Sequence, residues 1–400
     1  MILATSLAAH TQETVIISTN AQNSDQVFYN LANGNQTSRP LAEWDLAFEI
    51  TGLSSTVLVN TAKGNKIYHV GAIDEWDVIT MPDVASWTAL NNSETSWSEG
   101  ALSHGTDGMF NLGWGTYDIQ NHLVGGTELY VVELPDAIFK KLRVDGLVTG
   151  TYIFTYADLD GSNEQTGSIV KSDFTDKNFG YWDLTANAAV DREPLTYEWD
   201  LLFTKYMSDM GIWYGVAGVL HNKGVQTAQL DLVDPQSVGH DVAEGHYSTD
   251  INIIGADWKS FNGSQYVYEE ERAYFVKGQD GAIWKLIFTG YGGGATGTMT
   301  FTQELMSATS VDDIAALNGQ VLLYPNPAAN GHVRMILDLP EDRASIFVHD
   351  MNGKVVYSGL VSGLTPLAVR ELDLSGVPTG AYVVRAEHAS GVTTSRLIVQ

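Results

Sequence analysis

One phrase occurs twice in this chain. Residues 38–50 read "SRPLAEWDLAFEI" and residues 192–206 read "REPLTYEWDLLFTKY", so Arg, Pro, Leu, Glu-Trp-Asp-Leu and Phe recur in the same order. Alternate side chains of a strand share one face, which predicts Trp199, Leu201 and Phe203 on one side and Asp200 on the other. We interpret Trp199 as a core anchor and Asp200 as a hydrogen-bond acceptor for nearby turns. The repeated phrase therefore indicates a duplicated scaffold rather than two active sites.

A second duplication supports this interpretation. The segment "WGTYDIQNHLVGGTELYVVELPDAIFKKL" at 114–142 aligns over "WKSFNGSQYVYEEERAYFVKGQDGAIWKL" at 258–286. Internal similarity of this kind indicates repeated structural units. We predict two tandem copies, at about 25–168 and 178–306, whose central parts do not align. Functions specific to one copy are expected in those central parts.

The local pattern predicts β-structure throughout. Short runs of Thr, Val, Tyr, Trp and Ile are separated by Gly, Asn and Asp, and stretches with helical periodicity are scarce. Apolar residues make up 44% of the chain, which is typical of a globular protein. We therefore predict an all-β fold with two tandem antiparallel β-rich domains.

The last quarter of the chain has a different organisation. Residues 307–320 are small, polar and acidic, as expected of a linker. Five to seven short strands follow in 321–400, separated by Asn-Pro, Asn-Gly, Ser-Gly and Pro-Thr-Gly turns. This pattern predicts a small immunoglobulin-like β-sandwich at the C-terminus.

Charge and cysteine content exclude several kinds of protein. The net charge is -27, and because residues 319–400 hold six Lys/Arg against seven Asp/Glu, about -26 lies in the first 318 residues. Such an acidic field repels phosphate backbones, so we expect no nucleic-acid partner. There is no cysteine, hence no disulfide framework. The chain contains no run of 18 apolar residues, so the sequence predicts no membrane-spanning helix. Residues 1–12 resemble the remnant of a secretion signal.

Motifs in the last 80 residues resemble the type A C-terminal sorting domain of the type IX secretion system of Bacteroidetes. The residues that carry the resemblance occur in the order expected of that domain. They include Tyr324, Pro325, Asn326, Pro327, Gly353, Pro378, Gly380 and Tyr382. The resemblance implies export through the type IX machinery, followed by release or attachment to surface lipopolysaccharide. We expect a secreted or cell-surface protein of a Gram-negative bacterium.

The preceding part resembles the HmuY family of secreted haem-binding β-proteins. The resemblance rests on "EWDLLF", on "RAYFVKGQDGAIWKLIFTGY" at 272–291 and on "GTMTF" at 297–301. It implies haem as the cofactor, held by His or Met donors from loops. The Gly239-His240 pair stands where one family histidine is expected, whereas Asn262 stands where the second would be. His246, Met207 and Met210 are substitute donors in the second copy. His104, Met109 and His122 lie in the first. We expect His240, His246 and Met210 to be the haem ligands.

Two functions remain open at this stage, and a surface hydrolase using a carboxylate pair is a third that no motif supports. The first is a non-catalytic binding protein for haem or another small hydrophobic ligand. The second is a structural or adhesive surface protein that kept the scaffold and lost haem binding. The chain has neither a G-x-S-x-G nucleophile elbow nor an H-E-x-x-H zinc motif, so we expect no enzyme.

Overall fold

A computed structural model describes residues 12–51, 55–106 and 110–307, and most of the C-terminal part. There it describes 320–324, 326, 328, 331–339, 341–350, 353–364, 368–388 and 391–399. Two compact units are present. Residues up to Gly278 together with Ile283–Met306 form the first, and Gln279–Ala282 with the residues from Ser307 onward form the second. Most of the signal remnant and of the linker lies outside the described residues.

Strands dominate the first unit, in agreement with the predicted all-β fold. They are β1 (Glu13–Ser18), β2 (Asp25–Tyr29), β3 (Gln36–Pro40), β4 (Leu46–Glu49), β5 (Val57–Val59), β6 (Lys66–Ala72), β7 (Thr88–Leu90), β8 (Gly115–Asp118), β9 (Leu123–Gly126), β10 (Glu128–Leu134), β11 (Ile138–Val148), β12 (Thr151–Asp158), β13 (Gln165–Val170), β14 (Phe179–Asp183), β15 (Ala188–Val190), β16 (Leu201–Asp209), β17 (Trp213–His221), β18 (Gln226–Asp231), β19 (Lys259–Phe261), β20 (Tyr266–Tyr268), β21 (Arg272–Lys277), β22 (Ile283–Tyr291) and β23 (Thr298–Ser307).

Helical structure in the described residues is confined to single turns. The α-helix α1 spans Gly293–Thr296. The 3-10 helices are Ala21–Asn23, Leu41–Glu43, Thr61–Lys63, Ile73–Glu75, Ala101–Ser103, Pro135–Ala137, Lys171–Phe174, Thr196–Glu198 and His240–Ala243. None of the described helices is long and apolar enough to cross a membrane.

The first unit contains two β-sandwich lobes. In the first lobe, a sheet of order β13-β12-β11-β10-β6-β7 packs on a sheet of order β15-β14-β4-β5. In the second lobe, the order β1-β23-β22-β21-β18 packs on β17-β16-β2-β3. Each pair of sheets encloses its own apolar core, as in other aligned sandwiches. Trp114 and Phe154 are buried in the first core, and Trp258 and Phe301 in the second.

The strand pairing joins segments from the two copies that the sequence predicts. Strand β2 near the N-terminus pairs with β16, with Tyr29 opposite Leu201. Strand β14 pairs with β4 in the same way, with Trp182 opposite Leu46. The N-terminal residues 13–40 therefore complete the second lobe, and residues 179–190 complete the first. Division of the chain into copies at 25–168 and 178–306 stays a prediction.

The second unit contains seven described strands, namely β24 (Gln320–Tyr324), β25 (His332–Asp338), β26 (Arg343–Asp350), β27 (Val355–Ser362), β28 (Ala368–Asp373), β29 (Gly380–His388) and β30 (Gly391–Val399). They form one sheet of order β24-β25-β28 and another of order β27-β26-β29-β30. Alternating buried residues of both sheets, among them Leu337, Val348 and Leu397, share one core. This is the small β-sandwich that the turn pattern predicts.

Candidate functional site

The two aspartates of the repeated phrase do the same structural work. Asp200 Oδ2 accepts a hydrogen bond from Leu31 N at 2.8 Å, and Asp45 Oδ2 accepts one from Leu184 N at 2.9 Å. Each bond ties the phrase to the loop that follows the neighbouring strand. Asp45 is fully buried and also pairs with Lys63 at 2.8 Å. These contacts support the interpretation of the aspartates as acceptors for turns.

Two asparagines, each in a turn close to one copy of the phrase, donate hydrogen bonds to the backbone of that copy. Asn60 Nδ2 donates to Leu41 O at 2.7 Å and to Trp44 O at 2.9 Å. Asn222 Nδ2 donates to Thr196 O at 2.7 Å and to Trp199 O at 2.8 Å. The repeated phrase is therefore scaffold in both lobes, because its polar groups form the hydrogen bonds that hold the neighbouring turns.

The prediction that Trp199 lies on the same face as Leu201 and Phe203 is wrong. Leu201 and Phe203 point into the core of the second lobe, whereas Trp199 packs with Phe28 and Leu202 on the other side of the sheet. The reason is that β16 begins only at Leu201. Trp199 precedes the strand, directly after a 3-10 turn, so strand alternation does not govern its direction.

Each four-stranded sheet has one face that points away from its own core. These two faces pack against each other, and we call their contact the seam. Trp44 lies edge-on to Tyr181 with ring centroids 5.1 Å apart, and Trp199 lies edge-on to Phe28 at the same separation. Trp97 packs against both pairs and donates from Nε1 to His221 O at 2.8 Å. The space between the rings has room for roughly two water molecules, so the seam is packed structure rather than a ligand pocket.

Arg192 and Glu193 are the buried charged residues of the seam. The Arg192 guanidinium donates to Gln26 Oε1 at 2.7 Å and to Pro40 O at 3.1 Å, and it lies 5.3 Å from the ring centroid of Tyr181. Glu193 accepts from Phe179 N and Tyr181 Oη, both at 3.0 Å. Burial raises the pKa of Glu193 to about 7. A polar network of this kind fixes one arrangement of the two lobes.

The predicted haem ligands His240 and His246 lie in the long loop after β18. This loop is anchored by Ala243, which packs with Ala228 and Phe275 on the outer face of the five-stranded sheet. His240 is half-buried and His246 is exposed. Both histidines are therefore carried by a loop that covers the side of the sheet opposite to the core.

Met210, the third predicted ligand, is at the turn between β16 and β17. Those strands pack on the inner face of the five-stranded sheet, so Met210 and the His240 loop are attached to opposite faces of that sheet. Two axial donors must face each other across one iron. Met210 and the two histidines therefore belong to opposite faces of the sheet, and the assignment of His240, His246 and Met210 as haem ligands stays a prediction.

The other donors named from the sequence are scattered. Asn262 uses Oδ1 to accept from Ser264 N and Gln265 N, both at 3.0 Å, and so shapes the β19–β20 turn. His122 is bonded to Tyr117 Oη at 2.7 Å in the first lobe. The His104 ring lies 5.8 Å from that of His69, Met207 borders the contact between the lobes, and Met109 lies outside the described residues. Among the described residues, no three His, Asp or Glu side chains are grouped to hold a metal ion.

The turn between β16 and β17 exposes large apolar side chains. Met210 is 70% exposed, Ile212 73%, Trp213 40% and Tyr214 60%. The backbone is a regular hairpin, with Asp209 opposite Trp213 and Asp209 Oδ1 accepting from Gly211 N at 2.9 Å. We call residues 209–214 the apolar tip.

A second exposed aromatic ring lies toward the same end of the lobe. The segment before β19 runs along β17, because Val219 pairs with Gly255 and Lys259 Nζ donates to Ala217 O at 2.6 Å. Phe261 follows two residues after Lys259 in β19 and is 59% exposed. Sequence reasoning missed this surface, although "MGIWY" places apolar residues on both sides of a turn glycine.

The described sorting-motif residues shape turns of the second unit. Asn326 donates from Nδ2 to Arg396 O at 2.7 Å and accepts from Ile398 N at 3.0 Å. Gly353 has a φ of 82°, in the left-handed region that favours glycine. Tyr382 Oη donates to Pro378 O at 2.6 Å.

The remaining motif positions are accounted for separately. Gly380 begins β29, opposite Val399 of the last strand. Tyr324 ends β24. Pro325 and Pro327 lie outside the described residues.

Comparison with known protein families agrees with both parts of the fold. Residues 322–400 match the secretion system C-terminal sorting domain, which defines the chain as a secreted or cell-surface protein of a Gram-negative bacterium. Residues 22–302 match the HmuY protein, and the chain belongs to the HmuY family. Both family resemblances derived from the sequence are thereby confirmed, whereas the type A subclass and the Bacteroidetes origin stay predictions. HmuY proteins are typically binding proteins without catalytic activity. The tandem arrangement stays a prediction, since the family match is one continuous region.

Similarities to individual proteins are weak. Apo PinO from Porphyromonas gingivitis aligns with 75% of this chain and 99% of its own, at 9% identity and a TM-score of 0.24. Escherichia coli alpha-2-macroglobulin activated by porcine elastase aligns with 98% of this chain and 44% of its own, at 9% identity and a TM-score of 0.15. No curated protein sequence matches the chain.

Proposed function

We propose that this chain is a non-catalytic binding protein, exported by the type IX machinery, that takes up a small hydrophobic ligand at the apolar end of its second lobe. The apolar end comprises the apolar tip and Phe261. The observation that carries the proposal is the exposure of Met210, Ile212, Trp213 and Tyr214 on a regular hairpin. Contiguous exposed apolar surface on a soluble protein marks a binding site.

Two features of the fold support the apolar end as the binding site. The seam has too little room for an organic ligand, so the inner contact between the lobes does not compete as a site. The hairpin pairs β16 with β17 in register up to Asp209 and Trp213, directly at the turn. A two-stranded hairpin is regular enough to hold its side chains in place for a ligand.

Haem is the ligand that the family implies, with His240, His246 and Met210 as its proposed ligands. Met210 does not fit opposite either histidine on one haem, because the histidine loop and the apolar tip belong to opposite faces of the five-stranded sheet. The position where the family has a second histidine is Asn262, whose oxygen is used in its own turn. A ligand held by apolar contact, without coordination to iron, is favoured by this geometry.

The test is a fluorescence titration of the full chain with Nile red, a neutral apolar dye. We expect saturable binding that weakens at least about tenfold in Ile212→Ser/Trp213→Ser, because burying one large apolar side chain is worth roughly 1.5–3 kcal/mol. Ile119→Ser is the matched control, since Ile119 is 62% exposed in the first lobe. Equal binding by the tip variant and the control would refute the proposed site.

Haem is tested in parallel by absorbance. We expect haemin to give no spectrum of a six-coordinate iron, and His240→Ala and Met210→Ala to leave the titration unchanged. A sharp Soret shift that disappears in either variant would instead assign haem binding to that residue and show that the loops rearrange.

The alternative function is a structural or adhesive surface protein that lost haem binding. The use of Asn262 in a turn favours it, because this side chain is committed to the fold. The two functions differ in one readout: the structural protein binds neither Nile red nor haemin and keeps its surface display.

A further inference from the structure

The chain crosses from the first lobe to the second between β15 and β16. Asp191, at the start of this crossover, is exposed and pairs with Lys177 of the first lobe. Arg192 donates its two hydrogen bonds to the second lobe, whereas Glu193 accepts its two from the first. Neighbouring residues are thus bonded to opposite sides of the seam. The crossover is therefore placed as a hinge between the lobes.

Glu193 has one oxygen with partners and one without. Both donors bind Oε2, and among the described residues Oε1 has no hydrogen-bond partner although Glu193 is only 2% exposed. Glu193 borders a cavity of about 30 Å³ that Phe28, Trp199 and Leu202 of the second lobe also line. An ionised carboxyl at such a place is costly unless water reaches it. Parting of the lobes at this cavity brings water to Oε1.

The groups that face Glu193 do not offset this cost. In the part of the chain that the structure describes, no Lys, Arg or His nitrogen lies within ion-pair distance of its carboxyl. Burial raises the pKa of Glu193 to about 7, against the hydrogen bonds from Tyr181 and Phe179 N and the charge of Lys223. Burial also raises the pKa of Tyr181 well above its usual value, so the phenol stays protonated and keeps donating.

Two ion pairs carry the other charges near this carboxyl. Arg192 Nε lies 3.6 Å from Glu43 Oε2. Lys223 of the second lobe contacts Glu49 of the first, so this pair also bridges the seam. Lys171 interacts with the second pair, and burial lowers the pKa of Lys171 to about 8. Lys171 is thus a second group that titrates near neutral pH at the seam, and the test has to separate it from the buried carboxyl.

We propose that the seam is a pH-operated latch. Protonated Glu193 holds the two lobes together, and ionised Glu193 shifts them toward an open state in which the lobes part at the crossover and the aromatic rings of the seam face water. The closed seam binds the proton more tightly than the open one, so closure is strongest at acid pH and weakens as pH rises through about 7. The latch is independent of any ligand at the apolar end.

Two N–H groups that donate across the seam report on its opening. Trp97 Nε1 of the first lobe donates to His221 O at 2.8 Å, and Ile251 N of the second donates to Thr95 O at 3.0 Å. Both groups exchange their hydrogen with water when the seam opens. Ile67, fully buried in β6 of the first lobe, is the internal reference. The experiment is hydrogen exchange by NMR on the full chain with isotope-labelled tryptophan and isoleucine, corrected for the intrinsic exchange rates.

The expected result is a large fall in protection as pH rises. A pKa of about 7 in the closed state and 4.5 in the open state predicts a roughly 70-fold fall for Trp97 Nε1 and Ile251 N from about pH 5 to about pH 8.5. Glu193→Gln should abolish the fall, because its amide stays neutral. Glu164→Gln, at an exposed position of the first lobe, should behave as the wild type. Lys171 titrates in all three proteins, so its effect cancels in the comparison.

The internal reference separates seam opening from unfolding. Ile67 should remain more protected than both reporters at either pH, since the lobes stay folded when they part. Equal protection of Ile67, Trp97 Nε1 and Ile251 N would show that the seam opens only by unfolding, and it would overturn the latch. Protection that is the same at both pH values, or that falls as much in Glu193→Gln as in the wild type, would overturn it as well.

Discussion

The strongest stability effect is expected from Arg192, and Arg39 supplies its control. The sequence pairs the two arginines as equivalents in the repeated phrase, but Arg192 is 2% exposed whereas Arg39 is exposed. Arg192 contacts both lobes: it donates to Gln26 and Pro40 of the second lobe, and its guanidinium lies 5.9 Å from the Trp44 ring and 5.3 Å from the Tyr181 ring of the first. Arg192→Ala therefore removes two hydrogen bonds and leaves a cavity between aromatic rings.

The expected loss for Arg192→Ala is about 3 kcal/mol, because two buried acceptors lose their donor and a cavity remains between the rings. Arg39→Ala should change the free energy of unfolding by less than ~0.5 kcal/mol, as exposed substitutions do. Arg192→Lys should recover little, because an ammonium cannot make the two-pronged contact.

Urea denaturation followed by tryptophan fluorescence measures this effect in the full chain. All ten tryptophans lie at or before position 284, so the signal comes from the two-lobed part alone. A loss of ~3 kcal/mol lowers the urea midpoint by ~1 M or more for a slope of up to ~3 kcal/mol/M. Equal midpoints for Arg192→Ala and Arg39→Ala would refute the role assigned to the seam.

Three further predictions follow from the buried polar groups and the strand exchange. Because burial raises the pKa of Glu193 from 4.5 to about 7, its folded form holds the proton more tightly, so its stabilising contribution is full at acid pH and lost as pH rises toward 7. The stability difference between the wild type and Glu193→Gln should therefore shift by roughly 3 kcal/mol against the wild type from pH 4 to pH 8 in urea titrations; a flat difference would contradict it. Asp200→Ala should cost about 1–3 kcal/mol by leaving Leu31 N without its acceptor, as measured by the same fluorescence transition, and the assignment fails if Asp200→Ala matches the wild type. Deletion of residues 1–40 removes β1, β2 and β3 from the second lobe, and hydrogen exchange should show β16 and β23 unprotected while β10–β12 remain protected; protection of β23 in the deletion would show that the lobe folds without them.

The wild type carries a second titrating group in the same range, and the comparison with Glu193→Gln removes it. Burial lowers the pKa of His221 to about 4, so His221 makes stability rise between about pH 4 and 6.5, opposite to Glu193. Since both proteins contain His221, its contribution cancels in the difference.

The sequence by itself determined the fold class, the sorting unit and the scaffold role of the repeated phrase. These follow from local chemistry. Alternating β-branched and aromatic residues form strands wherever turn residues separate them, and Gly353 and Tyr382 shape their turns from within a few residues. Asp45 and Asp200 behave alike because each accepts a hydrogen bond from the turn that follows its neighbouring strand.

Only the tertiary structure decided which strands complete which lobe and which side chains are buried. Strand pairing between residues 25–29 and 201–203 joins segments far apart in the chain, and no local pattern specifies a partner at that distance. For the same reason Arg39 and Arg192, equivalent in sequence, differ in burial. The direction of Trp199 depended on where β16 begins, and the apolar tip became visible as a surface only once its neighbours were placed. Alternation states which residues share a face of a strand, but packing between sheets decides which face is covered.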